Sequence, residues 1–150
     1  MENRPEDEAT RRALRLFVVL TRCQSSVAEH ARQDIQRHAL STSEFGVLEL
    51  LYHKGPTTLS LLAERILITS GSLTYVVDQL VKRDLVQRVA SPTDRRVTFA
   101  DLTESGRTLI QTIFPDHAQK IRRTVSSLTP EEQETAITLL KKLGLSAAQK

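Results

Sequence analysis

A chain of 150 residues, 39% of them hydrophobic, is long enough to bury one sizeable core, and a net charge of +3 accommodates a nucleic-acid partner without demanding one. A single cysteine excludes an internal disulfide, and the longest apolar run, Leu16–Leu20, is far too short to span a bilayer. The acidic opening Met1-Glu2-Asn3-Arg4-Pro5-Glu6-Asp7-Glu8 is unlike a signal peptide, so the expectation is a cytoplasmic protein with no membrane partner.

From about Glu6 to His38 there is no glycine or proline, which predicts one helix of roughly thirty residues, longer than globular helices usually run. Its expected inward residues are Leu14, Phe17, Val18, Thr21, Val27, Ala28, Ala31 and Ile35. Such length suggests a helix shared between two subunits. Ser41-Thr42-Ser43-Glu44 fits a capping box that opens the next helix. Phe45, Leu48, Leu51 and Tyr52 form its apolar stripe, and Gly55-Pro56 ends it.

Leu59, Leu62, Ala63 and Ile66 then recur at helical spacing, with Thr57 or Thr58 as the cap. Leu73, Val76, Val77 and Leu80 repeat the pattern. Two amphipathic helices joined so closely must share one small core, as in a helix-turn-helix. The second helix begins with the small polar turn Thr69-Ser70-Gly71-Ser72, which lets free amides and the positive dipole end approach a phosphate. Thr74, Tyr75 and Gln79 could reach base edges or phosphates in a major groove. A solvated face is the plain alternative, and Asp78 sits awkwardly for DNA.

Leu85–Ala90 and Arg96–Leu102 have strand composition, and Ser91-Pro92-Thr93-Asp94-Arg95 between them is turn chemistry. Arginines at a hairpin tip suit phosphates or a narrow minor groove. Charge is not massed here. Thr57–Leu102 holds six basic residues (Arg65, Lys82, Arg83, Arg88, Arg95, Arg96) against five acidic ones (Glu64, Asp78, Asp84, Asp94, Asp101). Affinity for DNA must then come from the placement of a few groups.

From Thr103 a second long helix follows Leu109, Ile110, Ile113, Phe114, Ile121, Val125 and Leu128, with a kink expected near Gln111–Phe114 from Pro115. Leu128-Thr129-Pro130-Glu131-Glu132 starts the last helix. Ala136, Ile137, Leu140 and Leu143 follow, and Gly144 is expected to close it. The outer helices leave apolar stripes without partners in one chain, which a two-fold dimer would cover. The fold class is therefore mainly α with a small β-hairpin wing: a winged helix-turn-helix at about 41–102, flanked by dimerisation helices at about 6–38 and 103–144, in one domain over 1–150.

These residues resemble the MarR family of bacterial transcription regulators. The resemblance runs from about Leu14 to Leu143 and rests on Thr69-Ser70-Gly71-Ser72-Leu73-Thr74, on Asp94-Arg95-Arg96, and on Leu102-Thr103-Glu104-Ser105-Gly106. It implies that Arg96 enters a minor groove, that Asp94 orients Arg96 by a salt bridge, and that the helix starting at Ser70 lies in the major groove. It also implies a homodimer on a pseudo-palindromic operator in double-stranded DNA, acting as a repressor. Thr42–Pro56 and Pro92–Thr98 look most like the quinone- and hydroquinone-responsive branch. The family places small aromatic effectors where the dimer helices meet the reading head. Here that junction offers Phe17, Phe45, Tyr52 and Phe114 as walls and His53 and His117 as polar handles, although these aromatics could simply fill the core.

Cys23 reads either as a small buried apolar residue or as a redox sensor, which needs exposure and a lowered pKa. The position matching the family's peroxide-sensing cysteine is Phe17, so that mechanism does not carry over. His30 and Asp34 are four apart, but no cluster has metal-ligand spacing. No cofactor motif, Walker loop, HExxH or nucleophile elbow occurs, so an enzyme is not expected. The rival from another class is a winged-helix module that binds protein.

Overall fold

In the computed structural model, residues 7–91, 93–94 and 96–148 are described. The order of elements is α1 (Glu8–Gln36), α2 (Thr42–Lys54), β1 (Thr57–Thr58), α3 (Leu59–Arg65), α4 (Ser70–Lys82), β2 (Val86–Ala90), β3 (Thr98–Leu102), α5 (Glu104–Thr124) and α6 (Pro130–Ala148). The chain divides into two compact units, one of Arg32–Ala118 and one made of the described residues up to Ala31 with those from Gln119 onward.

Local signals start the helices where the sequence places them. Ser41 Oγ accepts from the Glu44 amide at 3.1 Å while Glu44 accepts from the Ser41 amide at 2.7 Å, a complete capping box. Thr58 caps α3 through the Leu61 amide, and Thr129 and Glu132 cap each other at the start of α6. Thr103 Oγ1 accepts from the Gly106 amide at 3.0 Å and starts α5.

In the Arg32–Ala118 unit, α2, α3 and α4 close over one core with a three-stranded antiparallel sheet of order β1-β3-β2. Its centre is Leu48, Leu51, Leu62, Leu73, Leu80 and Ile110. Each such side chain contributes about 1.5–3 kcal/mol by leaving water. The register pairs Val86 with Leu102, Arg88 with Ala100 and Ala90 with Thr98. Gly106 is dictated by this packing: a Cβ there would lie 1.9 Å from the Leu85 carbonyl oxygen, so the first turn of α5 can sit against that backbone only without a side chain.

Several expectations need correction. Gly144 does not close α6, which runs on to Ala148, because a helical glycine with ordinary φ is tolerated when neighbours hold the helix. Pro115 does lie inside α5, as expected, and offers no N–H to the Gln111 carbonyl; the helix ends at Thr124, short of the Val125 and Leu128 assigned to it. The wing strands are shorter than their composition suggests: β2 begins at Val86, and β3 begins only at Thr98 because the Val97 amide is bonded to the Asp94 carbonyl and the Val97 carbonyl to the Ser91 amide. Val47, absent from the expected α2 stripe, is fully buried. The supposed inward residues Leu14, Phe17 and Val18 are exposed, as is Cys23, which removes its reading as a buried apolar residue. In the unit that holds them no described residue is buried at all, while Phe17, Leu140 and Leu145 are 67%, 51% and 68% exposed.

Candidate nucleic-acid interface

α4 separates its faces cleanly. Leu73, Val76, Val77 and Leu80 are buried; Ser70, Gly71, Ser72, Thr74, Tyr75 and Asp78 are exposed, and Gln79 is half-buried. Thr69 is the N-cap: its hydroxyl oxygen accepts from the Ser72 amide at 3.2 Å and its O–H reaches Ser72 Oγ at 2.9 Å. The amides of Ser70 and Gly71 precede the first intrahelical bond and carry the positive end of the helix dipole. A Cβ on Gly71 would meet nothing within 4 Å, so the protein's own packing does not ask for glycine there. Thr74 donates to the Ser70 carbonyl at 3.0 Å and keeps its lone pairs outward. Tyr75 stands 66% exposed in the middle of this face.

The awkward carboxylate has a partner. Arg88 on β2 donates to Asp78 at 2.7 Å, which neutralises the acid and ties the wing to the reading helix. The sequence did not reveal this pair, since ten positions and a strand register separate the two residues. The pair is half-exposed, so its value lies in fixing geometry more than in stability.

The wing tip is folded around Ser91 and Asp94. Ser91 Oγ accepts from the amides of Thr93 and Asp94, and the Ser91 and Val97 backbones close the turn. Asp94 then holds Arg96 three times: Oδ1 accepts from the backbone amide at 2.9 Å and from Nε at 3.2 Å, and Oδ2 accepts from a guanidinium nitrogen at 3.3 Å. The Arg96 amide, helped by its guanidinium, holds the Asp94 carboxyl below its ordinary value of 3.8. The Arg96 side chain is 90% exposed and yet aimed by this fork. Arg95 lies outside the described residues.

Of the aromatic set, five members share the Arg32–Ala118 unit. Ring centres stand 4.5 Å apart for Phe45 and His117, 4.8 Å for His53 and Phe114, 5.1 Å for Tyr52 and His53, and 6.2 Å for Tyr52 and Phe114. Phe45 is a core residue, and His117 Nδ1 is 2.9 Å from Asp34 Oδ2 with both groups buried. His53 is exposed and borders a recess of about 300 Å³ with Gly46, Leu50 and Ile66. Phe17 belongs to the other unit. Among the described residues no three His, Cys, Asp or Glu side chains form a group able to hold a metal ion, and no helix is long and apolar enough to cross a membrane.

The profile of the MarR family matches residues 40–98. The chain is 50% identical over 140 residues to the HTH-type transcriptional regulator MhqR of Bacillus subtilis (strain 168), covering 93% of this chain and 97% of that protein. Among solved structures, Bordetella bronchiseptica BpsR, described with a mechanism for regulation of its DNA binding by 6-hydroxynicotinic acid, is 26% identical with a TM-score of 0.77, over 87% of this chain and 98% of that one. Sco3205, a MarR family transcriptional regulator from Streptomyces coelicolor solved in complex with DNA, shares the fold at a TM-score of 0.82 and 24% identity, over 95% of this chain and 91% of its own.

Proposed function

Because the chain belongs to the MarR family of transcriptional regulators, we propose that it is a cytoplasmic, dimeric repressor that binds a pseudo-palindromic DNA operator and is released by a small aromatic effector. The observation that carries the DNA reading is the pairing of two preformed devices on one rigid head. α4 presents a small polar first turn with an unforced glycine, and the wing presents a guanidinium aimed by a carboxylate. Ser70, Gly71, Ser72, Thr74, Tyr75 and Gln79 meet the major groove, with Thr69 fixing the helix start. Arg96, oriented by Asp94, enters the minor groove, and Arg95 serves a phosphate. Sco3205, solved with DNA, has the same fold.

The dimer is supported by the unit that lacks any buried described residue. Leu14, Phe17, Leu140 and Leu143 are exposed there, and a second copy is what would cover them. Two heads then face successive major grooves about 34–36 Å apart. The effector reading is supported by the ring cluster of Phe45, Tyr52, His53, Phe114 and His117, which suits a phenol or quinone, and by the aromatic acid that regulates BpsR. A ligand releases DNA only if it binds the DNA-incompetent arrangement more tightly.

The test is selection of duplexes from a random pool, followed by titration of the bound complex with a panel of phenols and quinones. A recovered two-part site and release by at least one compound are expected. No enrichment of any sequence defeats the DNA reading, and no release by any compound defeats the effector. Release that disappears in Cys23→Ser would replace the non-covalent mechanism by a thiol sensor.

A further inference from the structure

The C-terminal end of α4 is gripped from two sides, and neither grip belongs to the surface that faces DNA. Arg83 caps α4 and sends its side chain to the elbow between α1 and α2, where Nη1 donates to the Ala39 carbonyl at 3.0 Å and to Glu44 Oε1 at 3.4 Å. The other oxygen of Glu44 accepts from the Ser41 amide, so the same carboxylate caps α2 and anchors Arg83. Ala39 has φ of 54°, a left-handed conformation uncommon for a residue with a side chain, and the Arg83 bond holds the carbonyl of that strained residue. On the other side, Thr103 donates to the Asp84 carbonyl at 2.6 Å, and Gly106 lies against the Leu85 carbonyl. Three consecutive residues thus fasten the reading helix to the end of α1 and to the start of α5.

We infer that Arg83 is a positioning residue that sets the angle of the reading helix against the α1–α2 elbow, and so fixes which half-site spacing the dimer accepts. The inference rests on the reading of the protein as a two-headed DNA binder. The Arg83 guanidinium is directed to the elbow. Both contacts come from one nitrogen, Nη1, at the end of arginine's long stem; the amide of a glutamine lies too near the backbone to reach that point and brings no charge to Glu44. Without it the left-handed turn at Ala39 loses its outside partner and the elbow relaxes.

The experiment uses the full-length protein and duplexes that the parent selects from a random pool: the whole site, variants with one base pair added or removed between the halves, and a single half-site. The parent should lose about tenfold in affinity when the spacing changes by one base pair, because each head is then rotated off its groove. Arg83→Gln should bind the half-site within about twofold of the parent but lose less than about threefold on changing the spacing. Two results overturn the inference: an unchanged spacing preference in Arg83→Gln, or an equal loss on half-site and whole site, which would make Arg83 a plain structural support. Should Arg83→Gln fail to fold by circular dichroism, Glu44→Gln, which removes one arm of the contact, is held to the same criteria. A parent indifferent to spacing would refute the two-headed reading itself, and this inference with it.

Discussion

Gly71 offers a prediction in which stability and function move in opposite directions. It is the second residue of α4, its φ is not positive, and a side chain there would enter open space. Within a helix glycine costs roughly 0.5–1 kcal/mol relative to alanine, and less in the first turn. Gly71→Gln should therefore raise stability by about 0.5 kcal/mol, or about 1–2 °C in Tm for a chain of this size. The same side chain would stand between the helix backbone and the groove. Losing one good contact there costs about 1–3 kcal/mol, roughly a 5- to 150-fold loss of affinity. Thermal denaturation followed by circular dichroism reads the first effect, and fluorescence anisotropy with a selected duplex reads the second. Unchanged DNA affinity in a stabilised Gly71→Gln would show that the first turn of α4 does not approach DNA. A destabilised protein would show that the space is not open.

Gly106→Ala should have the opposite outcome: the new Cβ collides with the Leu85 carbonyl, whose oxygen also accepts from the Thr103 amide. A loss of at least about 3 kcal/mol in urea unfolding is expected, and a change within 1 kcal/mol would contradict the packing described. The Asp94 carboxyl titrates below 3.8 because the folded wing favours its charged form. That contribution is complete above the ordinary value and disappears as pH falls through the lowered one. NMR of the Asp94 carboxyl carbon should show a midpoint below 3.8 that rises only in part in Arg96→Ala, because the backbone amide bond is kept and the guanidinium bonds are lost, and an identical midpoint in both proteins would remove the guanidinium contacts from solution. Leu140→Asp puts a charge on an exposed apolar face of α6, twice over in a two-fold dimer, and sedimentation should then show monomers that bind the whole site weakly. A monomeric parent that binds tightly would refute the assembly.

The parts legible in the sequence were those governed by neighbours along the chain. Ser41 with Glu44, and Thr129 with Glu132, announce their helices because a cap needs only three residues. The α4 stripe and the wing turn were legible for the same reason. Pairs set by the tertiary fold were hidden: Asp78 with Arg88, Arg83 with Ala39, and His117 with Asp34. Asp78 looked like a defect on a DNA-facing surface until strand register brought Arg88 to it. His117 looked like a free polar handle, and no spacing rule shows that Asp34, 83 positions away, binds its Nδ1. Gly144 was misread because a glycine signals a helix end only when its φ is positive, which the sequence does not state. Of the inward face assigned to α1 only Ile35 is buried, and none of the stripe assigned to α6 is, because periodicity names a face without naming what covers it.

The most direct test of the central claim is a footprint on the selected duplex, read with a major-groove and a minor-groove probe for the parent and for Arg96→Ala. The account predicts two symmetric major-groove protections one helical turn apart, each with an adjacent minor-groove protection. The minor-groove protections should vanish in Arg96→Ala while the protein stays folded, since Arg96 is exposed at the wing tip. A single protected groove, or minor-groove protection that persists without Arg96, would contradict it.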